Sequence, residues 1–138
     1  MGNTFGATAL SSYGGFWLSY GVILIPQFGI IDAYGTNTQE LTTAIAFYLF
    51  GWFIFTFLMF VATFRHSVVF IFLFFVLDMA FLFLAIGAYT GNVKCTKAGG
   101  YFGLAAAFAA WYAAIAQILN DENSYFTLPL ISLQKKDN

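Results

Sequence analysis

Thr4, Thr8, Ser11, Gly15 and Ser19 recur near the start of the chain at intervals of four, three, four and four residues. On an α-helix this spacing puts four hydroxyls and a glycine on one face, with Ser12 and Tyr13 beside it. A stripe of that kind can hydrogen-bond a polar solute moving along it. The same residue types also serve close helix packing and interhelical hydrogen bonds. Periodicity leaves both readings open.

A carboxyl group supplies a second piece of chemistry. Asp78 stands near the middle of a long phenylalanine-rich apolar run. A charged carboxylate at the centre of a bilayer costs about 2.5–3.5 kcal/mol on insertion scales, so such a residue faces a cavity or a partner and is a functional candidate by default. Desolvation favours its neutral acid form. Asp78 is therefore read either as a proton site or as a protonated acid bonding a neighbouring helix or subunit. His66, next to Arg65, reads as a headgroup-level surface residue or as a pH sensor. Cys95 is the single cysteine, so it cannot close an intramolecular disulfide, and it has no metal-ligand companion in sequence. No metal and no cofactor is expected. A glycine-rich phosphate loop, an HExxH pair and a Ser, His, Asp constellation are all missing, which argues against an enzyme.

The elements that must hold these residues are set by composition. Of 138 residues 61% are hydrophobic and only 8% charged, where a soluble domain carries about 25% charged residues. The lipid bilayer is the partner that such a surface requires. Net charge is −1 and the basic residues are scattered, so nucleic acid is excluded as a partner. Crossing about 30 Å of hydrocarbon takes roughly 20 apolar residues. Four runs meet that length, at about 5–25, 44–64, 67–88 and 98–119, followed by a polar tail over 120–138. The expectation is an all-α, polytopic transmembrane helical bundle of four spans, forming a single transmembrane domain over 1–138. Arg65 and His66 alone separate the second and third spans, a tight hairpin, and a loop over 91–97 carries Lys94 and Lys97. Arg65, Lys135 and Lys136 against Lys94 and Lys97 favour both termini in the cytoplasm. The opening lacks a basic region and cleavage pattern of the secretory kind. Gly2 with Gly6, and Gly99 with Gly103, Ala107 and Ala114, form rows of small residues suited to helix packing. Two classes remain on this reading: a transporter or channel subunit with a hydroxyl-lined path, and a tetraspan scaffold.

The stretch Gly2-Asn3-Thr4-Phe5-Gly6-Ala7-Thr8-Ala9, continued by Ser12-Tyr13-Gly14-Gly15-Phe16-Trp17, resembles the third membrane span of the acetate uptake transporters. These are the bacterial succinate–acetate permeases and the fungal ammonia and acetate transport outward proteins. The resemblance continues through Phe55-Thr56-Phe57-Leu58-Met59-Phe60, Leu84-Ala85-Ile86-Gly87 and Leu119-Asn120-Asp121-Glu122. It implies a plasma-membrane transporter of acetate and similar small monocarboxylates, with succinate as a further substrate, coupled to a proton and linked to ammonium export. The family pattern is six spans in a homo-oligomer, a hexamer, with a path through each subunit. By motif position Tyr13 and Leu77 belong to its hydrophobic constriction, and Ala110 matches a small residue associated with substrate size. Asn3, Thr4, Thr8, Ser11 and Ser12 would line the path. Asp78 stands where a hydroxyl or apolar residue is expected after Leu77. The family's first-span Phe and its Asn-Pro-Ala-Pro-Leu-Gly motif have no counterpart here. The chain thus reads as the last four spans of the fold, a truncated member, and the runner-up reading is a non-transporting subunit or assembly partner of full-length relatives.

Overall fold

The computed structural model describes residues 4–133. Helices account for most of them: α1 (Thr4–Leu24), a 3-10 turn at Pro26–Phe28, the single-turn α2 (Ile30–Ala33), α3 (Thr38–Ala62), a 3-10 turn at Thr63–Arg65, α4 (Val68–Thr90) and α5 (Val93–Ile118). The protein is a polytopic all-α membrane protein. Three of its helical segments, Thr38–Arg65, Val68–Thr90 and Val93–Ile118, are long and apolar enough to cross a bilayer. Helix α1 has 21 residues, about 31 Å at 1.5 Å per residue, but its hydroxyls and glycines leave it outside that set. The described chain divides into two compact units, one up to Ile45 and one from Ala46 onward.

In the first unit α1 stops where Pro26 forces the preceding residue out of helical geometry; Ile25 is extended, at φ −76° and ψ 118°. Phe16 stacks on Tyr20, with ring centroids 5.6 Å apart, and meets Trp17 edge-on. Asn37 accepts from the backbone N–H of Glu40 while its amide donates to the Glu40 carboxylate at 2.7 Å. This reciprocal pair works as a capping box does, satisfying helix-start donors locally. It explains why α3 begins at Thr38, six residues ahead of the apolar run expected from 44.

In the second unit α3, α4 and α5 run antiparallel in chain order. The α3–α4 pair is spaced by large rings: Phe47 meets Tyr89, Trp52 stacks on Phe81 and Phe60 tilts against Phe75. The α4–α5 pair is much closer, because glycines lie at the contact. A Cβ on Gly99 would stand 2.7 Å from Leu84 Cγ, and one on Gly87 would stand 2.8 Å from the Thr96 backbone nitrogen. Phe83 and Phe102 stack just beyond the Gly99–Leu84 point, on the side away from Gly87. The buried row on α5 is Gly99, Ala106 and Ala113, spaced by seven. Of the row of small residues expected from sequence, Gly99 is at the contact, whereas Gly103 has open space beside it and Ala114 is exposed. Steps of four advance about 40° around a helix and steps of seven only about 20° back, so a seven-residue row stays against a straight neighbour longer.

Between α4 and α5, Gly91 adopts φ 67°, a left-handed turn that glycine reaches without a Cβ penalty. Asn92 then caps α5, accepting from the N–H groups of Lys94 and Cys95. Lys94, Cys95 and Lys97 therefore sit in the opening turns of α5 rather than in the loop expected over 91–97. At the opposite end Ser67 caps α4 by accepting from Phe70 N, and the α3–α4 hairpin is as tight as expected. The chain after α5 turns back to this hairpin. Ile131 O accepts from Val68 N, His66 O accepts from Leu133 N, and Ser67 and Ser132 form an antiparallel bridge. Tyr112 Oη donates to Pro129 O at 2.9 Å. Lys135, Lys136 and Asp137 of the expected polar tail lie outside the described residues.

Candidate functional site

The α3–α4 interface is where buried polar chemistry concentrates. Phe75, Asp78, Phe81, Ala85 and Tyr89 follow each other at three- and four-residue steps, so they form one stripe of α4, and three of them carry or border the ring contacts with α3. Asp78 lies in the middle of that stripe, only 3% exposed, and its Oδ1 has no hydrogen-bond partner. Its burial removes lipid or an adjoining subunit as a direct partner. On α3 the matching stripe is Leu49, Trp52, Thr56, Phe60 and Thr63. Thr56 and Thr63 are the largest side chains that are fully buried, both at 0% exposure. The ring pairings fix the register: one pair above and one below place Thr56 at the level of Asp78.

Thr56 was not among the residues singled out from sequence. Its signal was there, since Thr56 and Thr63 are the only threonines in the run 44–64 and stand seven residues apart on one helical face. Thr63 Oγ1 donates back to Phe60 O at 2.6 Å, which satisfies it within its own turn.

Toward the far end of the same interface lies a cleft of about 370 Å³ lined by Ala46, Phe47, Phe50, Ala85, Ile86, Tyr89 and Thr90. Its walls are almost wholly apolar. Thr90 turns its hydroxyl away, donating to Ile86 O. Such a cleft accommodates a methyl or alkyl group and offers little to a charge.

The residues expected at a constriction are distributed as follows. Leu77 is half-buried on α4 and Ala110 exposed on α5. Given the α4–α5 register at Leu84–Gly99 and Phe83–Phe102, they stand about one turn apart along the pair. Tyr13 is half-buried on α1, in the first unit. Of the expected hydroxyl stripe, Thr4, Thr8 and Ser11 are exposed and Ser12 half-buried; Asn3 lies outside the described residues. Ser11 Oγ donates to Ala7 O at 2.7 Å, and Ser19 Oγ to Gly15 O at 2.7 Å. Back-bonding of this kind engages the hydroxyl proton within the helix itself. His66 sits at the hairpin, its ring 5.9 Å from that of Phe70. Among the described residues no group of three or more His, Cys, Asp or Glu side chains could hold a metal ion.

Comparison with known proteins gives this arrangement a context. The model of the GPR1/FUN34/yaaH family matches residues 1–135. Ammonia transport outward protein 2 of Saccharomyces cerevisiae is 49% identical over 135 residues, covering 98% of this chain and 48% of that protein. The succinate-acetate/proton symporter SatP of Escherichia coli K12 is 39% identical over 130 residues, covering 94% of this chain and 66% of the symporter. The chain thus spans about half the length of the yeast relative. The solved structure of the bacterial acetate channel SatP superimposes with a TM-score of 0.78 at 40% identity, over 93% of this chain and 68% of the channel. These relatives carry the names of transporters and channels, not of enzymes.

Proposed function

This chain belongs to the GPR1/FUN34/yaaH family, and on that premise we propose that it conveys acetate and similar small monocarboxylates across a membrane, with succinate as a larger substrate. The observation that carries the reading is the superposition on a bacterial acetate channel at 40% identity and a TM-score of 0.78. Proton coupling accompanies the passage. A carboxylate loses its hydration in an apolar neck at a cost that hydroxyl groups offset only in part, and a proton moving with it removes the net charge. Four spans, the plasma membrane as location, a homo-oligomer of six and a link to ammonium export complete the proposal.

Within it, Tyr13 and Leu77 form the neck, Ala110 sets the size of acid admitted, and Asn3, Thr4, Thr8, Ser11 and Ser12 present acceptors and donors along the approach. Tyr13 offers a ring face to the methyl group and a hydroxyl to the carboxylate. Support for these roles comes from motif position and from the helical spacing of the hydroxyls.

The test is uptake of labelled acetate by liposomes containing the purified chain, with an acidic exterior. Uptake should saturate, rise with the inward proton gradient and be competed by short carboxylic acids. Non-saturable, gradient-insensitive entry at normal protein abundance would overturn the transport reading and favour an assembly role beside longer relatives.

A further inference from the structure

We propose that Asp78 is an intramembrane proton-binding site, held as the neutral carboxylic acid at rest and giving up its proton during the transport cycle. The proposal deepens the carboxylate-passage reading and rests on it for the word transport; the protonation itself stands on geometry. Asp78 is 3% exposed, its Oδ1 has no hydrogen-bond partner, and it lies between Phe75 and Phe81 in the middle of an apolar span. An ionised carboxylate in that position would need a cation or several donors to offset its desolvation. A neutral acid needs far less.

Among the described residues, no element packed on α4 places such a cation near it. On α3 the facing stripe offers Trp52, Thr56 and Phe60, and the helix's ionisable side chains, Tyr48 and Glu40, lie about 12 Å or more along the axis from Thr56. On α5 the level of Asp78 is occupied by Ala105, Ala106 and Ala107. Tyr101 points outward, 73% exposed, and Tyr112 donates its hydroxyl to Pro129 O. Lys94, Cys95 and Lys97 sit at the far end of α5. Arg65 and His66, at the hairpin, are 13 and 12 residues before Asp78 in sequence, about 20 Å along a helical rise. Among the described residues nothing supplies a positive charge here, which leaves a proton as the counter-charge. Thr56, fully buried on the facing stripe at the same level, gives the site a hydroxyl oxygen among rings. The charge balance is simple: one proton taken up by the carboxylate yields the acid, and its release regenerates the carboxylate, with no other reactant.

Two measurements test this. The first is infrared spectroscopy of the purified chain in lipid at neutral pH. The carbonyl band of a protonated carboxylic acid is expected in the wild type, lost in Asp78→Asn and shifted in frequency in Asp78→Glu. The Glu variant keeps the assignment decisive even where Asp78→Asn fails to reach the membrane. A wild type without the band, or a band unchanged in both variants, overturns the proposal. The second compares labelled-acetate exchange at equal concentrations on both sides with uphill uptake driven by a proton gradient. Asp78→Asn should keep exchange and lose uphill uptake, and Asp78→Glu should restore it. Uphill uptake that survives in Asp78→Asn removes Asp78 from coupling. If the wild type shows no acetate exchange at all, the transport reading fails, and the infrared result still decides whether Asp78 holds a proton.

Discussion

Gly99 of α5 lies against Leu84 of α4 so closely that a Cβ placed on it would stand 2.9 Å from the Leu84 backbone nitrogen. Backbone cannot yield as a side-chain end can. Gly99→Ala should therefore force the helices apart and destabilise the chain by about 1–3 kcal/mol, the usual cost of overpacking. Gly100→Ala is the control: nothing lies within 4 Å of its added methyl, and alanine is the better helix former by about 1 kcal/mol. Thermal unfolding in detergent should fall for the first and hold or rise for the second. Equal effects would mean that the close approach is not what holds α4 to α5.

Ser132 bridges to Ser67 at the start of α4, whereas Asn92 lies just beyond its end. The 23 residues between them in α4 span about 35 Å, enough to separate the two sides of a bilayer. In a Cys95→Ser background, Asn92→Cys should react with an impermeant maleimide added to intact cells and Ser132→Cys should not. Reversed labelling would invert the orientation; labelling of both would break the span.

The returning tail carries Ile131 at φ 49°, a left-handed conformation unfavourable for a β-branched residue by about 1–3 kcal/mol. Ile131→Gly should relieve that strain and tighten the clasp on the hairpin. Leu133→Pro should loosen it by removing the N–H that donates to His66 O. Limited proteolysis after α5 is the readout, expected to slow in the glycine variant and quicken in the proline variant. An effect of the same sign in both would dismiss the clasp.

Leu77→Ala and Ala110→Phe separate a substrate path from a packed core. If Leu77 sets the width, its truncation should let lactate or succinate compete better with labelled acetate, and Ala110→Phe should exclude the larger acids first. As a plain core truncation Leu77→Ala would cost about 2–5 kcal/mol and lower membrane abundance without reordering the competitors. An unchanged ranking at normal abundance would take both positions off the path.

Hydrophobic run length determined the class of this protein, the antiparallel order of its later helices and the hairpin at Arg65, because burying backbone in lipid leaves a helix as the economical solution for a single run. It also located Asp78 as the acid deep in a span. Run length reports the membrane and not the helix, which is why Asn37 and Asn92 carry α3 and α5 several residues beyond the apolar stretches. What a side chain faces was settled only in three dimensions. Nearly uniform apolarity around α3, α4 and α5 gives each helix no preferred side from sequence, so the choice fell to shape: rings hold α3 off α4, and glycines draw α5 in. That choice followed Gly99 with Ala106 and Ala113 on the buried face, in place of Gly103 and Ala114. It also turned Thr56 and Asp78 inward at one level, since steric fit between helices, rather than the polarity pattern along either one, fixed the rotation of each.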